Sequence, residues 1–145
     1  VDKNASLYDN IKTIHDYIVN TTKYDESEDE KHASSLAYGT LFDHYARCNG
    51  YTDTMAIFLT KLGVTNYKIA TTQEDISYES TGHVWNAVYL DNKWLHLDLT
   101  WDDPVSEEGK DYLYHKYFLV TTDEMKTADE GDVNIEEHNF RKYIS

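Results

Sequence analysis

The sequence has few cysteines, which cross-link a chain, few prolines, which interrupt helices and strands, and few basic residues, which bind anions. It has one cysteine, one proline, and 13 Lys and Arg against 27 Asp and Glu, giving a formal charge of −14. A single thiol excludes an internal disulfide, so the fold depends on its core. The negative charge would repel nucleic-acid phosphates and anionic membranes, so we expect neither as a partner. No segment approaches the roughly 18 consecutive apolar residues of a membrane span, so we expect no membrane insertion.

The periodicity of the apolar residues predicts one α+β domain. A length of 145 residues suffices for one core, so we expect a single domain over residues 1–145. Helices precede strands in the pattern, which is typical of N-terminal helices packed on an antiparallel sheet. Ser6 caps a helix predicted over 7–19. A second, mostly apolar helix ends at Gly63, and strands are predicted over 67–71, 83–90, 94–101 and 112–120.

Polar stretches separate these elements. Segments 24–31, 72–81 and 105–110 lack apolar periodicity and predict loops. A short helix or turn is predicted over 36–45, and a brief helix is predicted after Thr121. The first of these leads the chain to Cys48, which we expect at the N-terminal end of the second, buried helix.

The only thiol is followed in the sequence by an imidazole and a carboxylate. Cys48, His83 and Asp98 occur in the order of a nucleophile, its base and the group that orients the base. At a helix N-terminus, unpaired amide donors and the helix dipole favour a thiolate and can bind an oxyanion. The sequence therefore predicts a thiol enzyme.

A hairpin would bring the imidazole and the carboxylate together. Asp91 and Asn92 separate two predicted strands and tolerate the turn conformations that link antiparallel neighbours. A symmetric loop pairs Trp85 with Asp98, so His83 and Asp98 are diagonal neighbours on one face, roughly 7 to 8 Å apart at the backbone. The leucines of the second strand then face the helices on the other side: Leu95, Leu97 and Leu99.

Three short blocks surround the three residues: Arg47-Cys48-Asn49-Gly50-Tyr51, Gly82-His83-Val84-Trp85-Asn86-Ala87-Val88, and Trp94-Leu95-His96-Leu97-Asp98-Leu99-Thr100-Trp101-Asp102-Asp103-Pro104. In this order and spacing they resemble the motifs of the bacterial transglutaminase-like superfamily, over roughly residues 36–120. The resemblance implies a papain-like fold with a catalytic triad of Cys48, His83 and Asp98. Thr52 and Val84 replace a small apolar residue and an alanine of the family pattern, away from the reacting atoms.

The resemblance also implies acyl transfer that requires no cofactor. Cys48 would attack an amide of a protein or peptide substrate and form a thioester, so we expect a peptidase or amidohydrolase. A protein-glutamine transglutaminase or deamidase is the alternative. Tyr38 is expected to donate a hydrogen bond to the oxyanion, Trp85 to shield the thioester from water, and His96 to contact substrate. Ordinary core packing is the alternative for Tyr38 and Trp85.

Bacterial relatives are often domains of secreted or cell-surface proteins. The resemblance therefore implies an extracellular or cell-surface location, as part of a longer secreted protein. No motif in the sequence indicates an oligomeric state.

Two rival interpretations use the same residues. His44 and Cys48, four residues apart, could form a zinc site with His83 or His96. A non-catalytic protein- or glycan-binding module could keep the fold without the chemistry. Calcium binding by the acidic residues near the third block is only weakly indicated, and these are Asp102, Asp103, Glu107 and Glu108. Structural roles are assigned to the histidines His15, His32, His115 and His138.

Overall fold

Helices lead into a three-stranded sheet, and a further helix follows it. The computed structural model describes residues 5–24, 36–71, 83–102 and 115–131. The helical elements are α1 (Leu7–Thr21), a π-helix (Gly39–Asp43), α2 (Cys48–Lys61), α3 (Leu99–Asp102) and α4 (Thr122–Gly131). The strands are β1 (Lys23–Tyr24), β2 (Tyr45–Ala46), β3 (Asn66–Thr71), β4 (His83–Leu90) and β5 (Lys93–Leu97). The predicted α+β class is confirmed. Among the described helices, none combines the length and the apolar character needed to cross a bilayer.

The sheet has the order β3, β4, β5, with both pairs antiparallel. A separate parallel pair joins β1 to β2, where Lys23 lies opposite Tyr45. This pair is too short to give a periodic signal in the sequence, and it was not predicted. It fastens the chain after α1 to the segment that immediately precedes α2.

Both long helices follow their sequence signals. The Ser6 hydroxyl accepts a hydrogen bond from the Asp9 backbone N–H at 3.1 Å, so the predicted N-cap of α1 is confirmed. The helix continues to Thr21, two residues beyond the prediction. After α2, Gly63 takes a φ of +75°, the left-handed conformation that the prediction required of it.

Side chains cover the three-stranded sheet on both faces. On one face Val88, Leu95 and Leu97 belong to a core shared with α1 and α2, to which Ile11 and Met55 contribute. Leu99 packs in the same core, so the predicted inward set of leucines is confirmed. On the other face a smaller apolar cluster includes residues of β4, of the segment before α4 and of α4 itself: Trp85, Tyr117, Val120 and Met125. Burial of each large apolar side chain contributes about 1.5 to 3 kcal/mol.

The third and fourth predicted strands end differently from the prediction. β5 stops at Leu97, because Asp98 leaves the strand and its Oδ1 accepts from the Trp101 backbone N–H at 3.2 Å, which begins the turn of α3. The prediction of a strand that continues to residue 101 is therefore wrong. In the described residues 115–120, turns lead to a bridge between Val120 and His96 in place of a strand. The predicted loops over 72–81 and 105–110, and residues 25–31 of the acidic loop, lie outside the described residues.

The turn between β4 and β5 sets the register of the hairpin. Leu90 pairs with Lys93 and Asn86 with Leu97, which confirms the predicted register. Asp91 and Asn92 have φ values of 52° and 63°, so both residues are left-handed, as a two-residue hairpin turn of the primed type requires.

Replacing one turn residue tests this constraint. We expect Asn92→Ala to lower the free energy of unfolding by about 1 to 2 kcal/mol, because an alanine Cβ disfavours the left-handed conformation. Asn92→Gly removes the Cβ and should retain the stability of the parent, as measured by urea denaturation followed by circular dichroism. An equal loss in both variants would mean that the asparagine side chain, and not the backbone conformation, stabilises the turn.

Candidate active site

A buried histidine and a buried aspartate form a short hydrogen bond at the open end of the hairpin. The Nε2 of His83, the first residue of β4, lies 2.6 Å from Oδ2 of Asp98. Both side chains are almost completely buried, so water competes little for either partner. Asp98 comes one residue after β5, and the hairpin register places it diagonally across from His83. The expected proximity of the two groups is confirmed by this geometry.

Contacts on every side hold the Asp98 carboxylate. Oδ2 accepts from His83, while Oδ1 accepts from the Trp101 backbone N–H in α3. The Asp98 backbone N–H donates to the Tyr117 carbonyl at 3.0 Å. Because both oxygens and the backbone have partners, the carboxylate has one favoured orientation, and this orientation directs Oδ2 at the imidazole.

Cys48 approaches the same imidazole from α2. It is the first residue of that helix and is partly exposed, and its side chain hydrogen-bonds the His83 ring. The first amides of α2 precede the first backbone hydrogen bond of the helix, from Tyr51 N–H to the Arg47 carbonyl at 3.1 Å. Since Nε2 of His83 is bonded to Asp98, we infer that Nδ1 is the ring nitrogen that faces the thiol.

Two hydrogen bonds tie the first turns of α2 to β4. The Thr52 hydroxyl donates to the Val84 carbonyl, and the Asn86 amide donates to the Thr52 carbonyl, each at 3.1 Å. All four groups lie in the buried region next to Cys48 and His83. Sequence reasoning treated Thr52 only as a tolerable departure from the family pattern. Its hydroxyl instead fixes the distance between the helix that carries the thiol and the strand that carries the imidazole.

Opposing influences set the protonation of His83. Burial would lower the pKa of the ring, but the charge of Asp98 and the hydrogen bonds of the ring to Asp98 and Cys48 raise the pKa well above its usual value of 6.5. These surroundings therefore stabilise a proton on the ring. An imidazole that gains a proton from the thiol would be stabilised in the same way.

Trp85 packs against the His83 ring, and His96 in turn contacts Trp85. Neither side chain lies at the surface. The Trp85 ring stacks on His83 with centroids 5.9 Å apart and an interplanar angle of 19°. Its Nε1–H donates to Nδ1 of His96 at 3.0 Å, and Nε2 of His96 contacts the Thr122 hydroxyl at 3.1 Å. Both side chains have an exposed fraction of 0%. The burial of Trp85 agrees with core packing, which was the alternative expected for this ring, and its stack supports the His83 ring. Shielding of the thioester by Trp85 and substrate contact by His96 stay predictions.

Tyr38 takes a different position from these rings. It precedes the π-helix, its side chain is exposed, and its ring lies 4.9 Å from that of Phe42. Its expected hydrogen bond to an oxyanion stays a prediction.

The residues of the alternative metal sites have other contacts. In the described part of the chain, His44 and Cys48 do not converge with His83 or His96 as ligands of one ion. Asp102 is buried, with Oδ2 at 2.8 Å from Nε2 of His15 and Oδ1 accepting from the Tyr117 backbone N–H. The other residues singled out for calcium or for structural roles lie outside the described residues, and these are Asp103, Glu107, Glu108, His32 and His138.

Asp102 forms part of a network that sequence reasoning did not predict. Burial raises the pKa of Asp102, and the hydrogen bonds from His15 and Tyr117 only partly oppose this effect. Burial would also raise the pKa of Asp16, but hydrogen bonds from His15 and His115 outweigh it and lower the value. The members of this network are far apart along the chain, so no spacing in the sequence indicates it. The presence of histidines was the only available signal.

Comparisons with known proteins identify the family of the chain. The family model of the transglutaminase-like superfamily matches residues 1–99, more than half of the chain. The chain belongs to the transglutaminase-like superfamily. A comparison with curated protein sequences finds no match.

Two solved structures share the fold of the superfamily with this chain. One is described as a TGase; it has 26% sequence identity and a TM-score of 0.53, and the match covers 68% of this chain and 27% of that one. The other, a candidate cysteine protease from Cytophaga hutchinsonii, has 16% identity and a TM-score of 0.52, covering 68% of this chain and 33% of its own. The chain thus spans a third or less of the length of either structure. Membership of the superfamily supports a cysteine-type enzyme in general.

Asp98→Asn tests the electrostatic coupling in the site. Burial of His83 persists in this variant while the negative charge is lost, so we expect the pKa of the ring to fall below its usual value of 6.5. In the parent, the raised pKa gives a stabilisation that is complete below pH 6.5 and is lost as the pH rises through the folded value. The variant should lack this dependence.

Titration of the histidine ring signals by NMR, together with urea denaturation at several pH values, measures both effects. Asp53→Asn, which removes an exposed carboxylate paired with Lys68, is the matched control. An unchanged His83 titration in Asp98→Asn would contradict the coupling.

Proposed function

We propose that this chain is a cysteine-dependent acyl-transfer enzyme that hydrolyses an amide of a protein or peptide through a thioester. The observation that carries the proposal is the arrangement of Cys48, hydrogen-bonded to His83, whose Nε2 lies 2.6 Å from Asp98. This arrangement supplies a nucleophile, a base and a group that orients the base. Membership of the transglutaminase-like superfamily supports the same reaction type.

In the first step the Cys48 sulfur forms a bond with the carbonyl carbon of the amide. The thiol proton passes to Nδ1 of His83, and Asp98 stabilises the resulting imidazolium through Nε2. The electron pair of the carbonyl moves to its oxygen. The amide N–H groups at the start of α2, which precede the first hydrogen bond of the helix, are candidate donors to this oxyanion.

In the second step the C–N bond breaks and the acyl group remains on sulfur. The imidazolium of His83 gives its proton to the departing amine, so the leaving group departs neutral. Water, deprotonated by the same ring, then attacks the thioester and releases a carboxylic acid and the thiol. A primary amine in place of water would form a new amide, which is the transglutaminase outcome; water acting on a glutamine side chain gives deamidation.

Features next to the thiol support a protein or peptide as substrate. Cys48 is only partly buried, so a carbonyl group can approach it from solvent. The exposed rings of Tyr38 and Phe42 lie on the π-helix segment that packs against α2, and they offer apolar contacts to an extended chain. The formal charge of −14 favours neutral or basic segments over acidic ones. An extracellular or cell-surface location is part of this proposal.

Alkylation of Cys48 tests the pairing of thiol and imidazole. We expect rapid labelling by iodoacetamide at mildly acidic pH in the parent, because His83 accepts the thiol proton, and slow labelling in His83→Ala. Intact mass spectrometry follows the reaction, and the sequence has one cysteine, so a single adduct reports on this site. His44→Asn, at an exposed left-handed position, is the control for loss of a neighbouring imidazole. Equal, slow labelling of all three proteins would favour the non-catalytic binding module.

The fate of the acyl group separates the reaction outcomes. The chain is incubated with a mixture of glutamine-containing peptides and a labelled primary amine, and the products are identified by mass spectrometry. We expect cleavage fragments or deamidated peptides without amine incorporation, and a loss of about 10³-fold or more in Cys48→Ala. Predominant amine incorporation would identify a transglutaminase. Full activity in folded Cys48→Ala would end the enzyme hypothesis.

A further inference from the structure

Two histidines and an aspartate converge on the surface of α1, away from Cys48. Nδ1 of His15 lies 2.9 Å from Oδ1 of Asp16, and Nε2 of His115 lies 2.5 Å from the same oxygen. One ligand atom from each of the three residues lies within 4.8 Å of the others. We call these three residues the α1 cluster. Its members come from α1 and from the segment before α4, so folding brings them together.

Both ring nitrogens of His15 face carboxylates. The ring is completely buried, and its two nitrogens each face a carboxylate, Asp16 at Nδ1 and Asp102 at Nε2. A neutral imidazole has a single N–H. If that hydrogen points to Asp102 at 2.8 Å, the lone pair of Nδ1 faces the lone pairs of Asp16. A cation between Nδ1 and the Asp16 carboxylate would remove this conflict.

Asp102 is placed as the outer partner of a metal-bound histidine. Metal-ligating histidines usually donate their second N–H to a carboxylate, which fixes the tautomer and the ring orientation. Asp102 is fully buried, and its other oxygen accepts from the Tyr117 backbone N–H at 2.9 Å, so it cannot swing away. The order carboxylate, imidazole and ligand nitrogen is therefore already built at His15.

We propose that the α1 cluster binds a divalent first-row transition-metal ion, of which zinc is the best match. The ligands are Nδ1 of His15, a carboxylate oxygen of Asp16 and Nε2 of His115. Two imidazoles and a carboxylate form a donor set that zinc accepts, with water in the fourth position. Tetrahedral zinc separates its ligand atoms by about 3.3 Å, so the two short nitrogen to oxygen distances must widen by less than an ångström.

The surroundings allow this small adjustment. The His115 side chain is 36% exposed and that of Asp16 is 26% exposed, so both can move toward solvent while His15 stays in place. Lys12, 4.0 Å from the second oxygen of Asp16, is itself exposed and can withdraw. The open side of the cluster also gives a metal ion an entry path.

The ion would join parts of the fold that also hold Asp98. His115 lies two residues before Tyr117, whose carbonyl accepts from the Asp98 backbone N–H. A metal ion would thus hold the segment before α4 against α1 and stabilise the contact between Tyr117 and Asp98. This role is structural and goes beyond the proposed reaction, in which the ion takes no part.

The binding experiment uses the full chain with Cys48→Ala, which removes the thiol as a competing zinc ligand. We expect calorimetric titration with zinc chloride to give one ion per chain. Saturation should raise the melting temperature by roughly 9 °C when free zinc is about 100-fold above the dissociation constant. Added His115→Ala or Asp16→Asn should weaken binding by about 100-fold or more, since even outer-shell partners contribute about 10- to 100-fold.

Controls separate the cluster from adventitious sites. Added His44→Asn, which removes an exposed histidine elsewhere, should leave zinc affinity unchanged. His115 is partly exposed, so His115→Ala is expected to fold, and circular dichroism checks this. Cobalt(II) in place of zinc should give the visible absorption bands of a low-coordinate nitrogen and oxygen site, and these bands should vanish in His115→Ala.

Two results would overturn the proposal. Zinc binding that is unaffected by both His115→Ala and Asp16→Asn would place the ion elsewhere. If the folded Cys48→Ala chain shows neither zinc binding nor a thermal shift, the cluster is only a network of hydrogen bonds. Because the parent of this series carries Cys48→Ala, neither result depends on whether the chain is an enzyme.

Discussion

The contact between His83 and Asp98 imposes a strict condition on the rest of the fold. A carboxylate and an imidazole are both taken out of water, and a buried charge left without partners would cost several kcal/mol. The fold meets this condition by giving the carboxylate a partner from β4 and another from the short helix α3, while the segment before α4 holds the Asp98 backbone N–H. The early end of β5 follows from the same condition, because a carboxylate in a regular strand could not also cap a helical turn.

The two faces of the sheet have different tasks. One face joins the sheet to α1 and α2 in a continuous apolar core, which sets how far α2 lies from β4. The hydrogen bonds of Thr52 and Asn86 then refine that distance where the thiol meets the imidazole. The other face supports the His83 ring with Trp85, whose own ring is oriented by His96. The reactive groups are thus positioned by packing on one side and by polar contacts on the other.

Local patterns in the sequence were sufficient to predict the two long helices α1 and α2, the hairpin and the proximity of His83 and Asp98. Each depends on signals within a few residues, such as the Ser6 cap, Gly63 after α2, and the Asp91-Asn92 turn that fixes the register. What could not be predicted depends on contacts between distant segments. The roles of Thr52 and Asn86, the buried pair of His15 and Asp102, and the β1–β2 pairing all join residues at least 20 positions apart. Core packing was one of the two roles expected for Trp85, but the motif alone could not decide between them, because the covering residues lie beyond it, in α4 and the segment before it.

The lack of a second cysteine has a consequence for oxidation of Cys48, the proposed nucleophile. Oxidation of Cys48 to a sulfenic acid would leave no thiol in this sequence to form a protective disulfide. The oxidised sulfur must then be rescued by a small thiol from solution, or it proceeds to sulfinic acid, which such thiols do not reverse. Its partial exposure gives those small thiols access. The chemical environment of the chain, rather than the chain itself, therefore determines how long the sulfur stays in its reduced form.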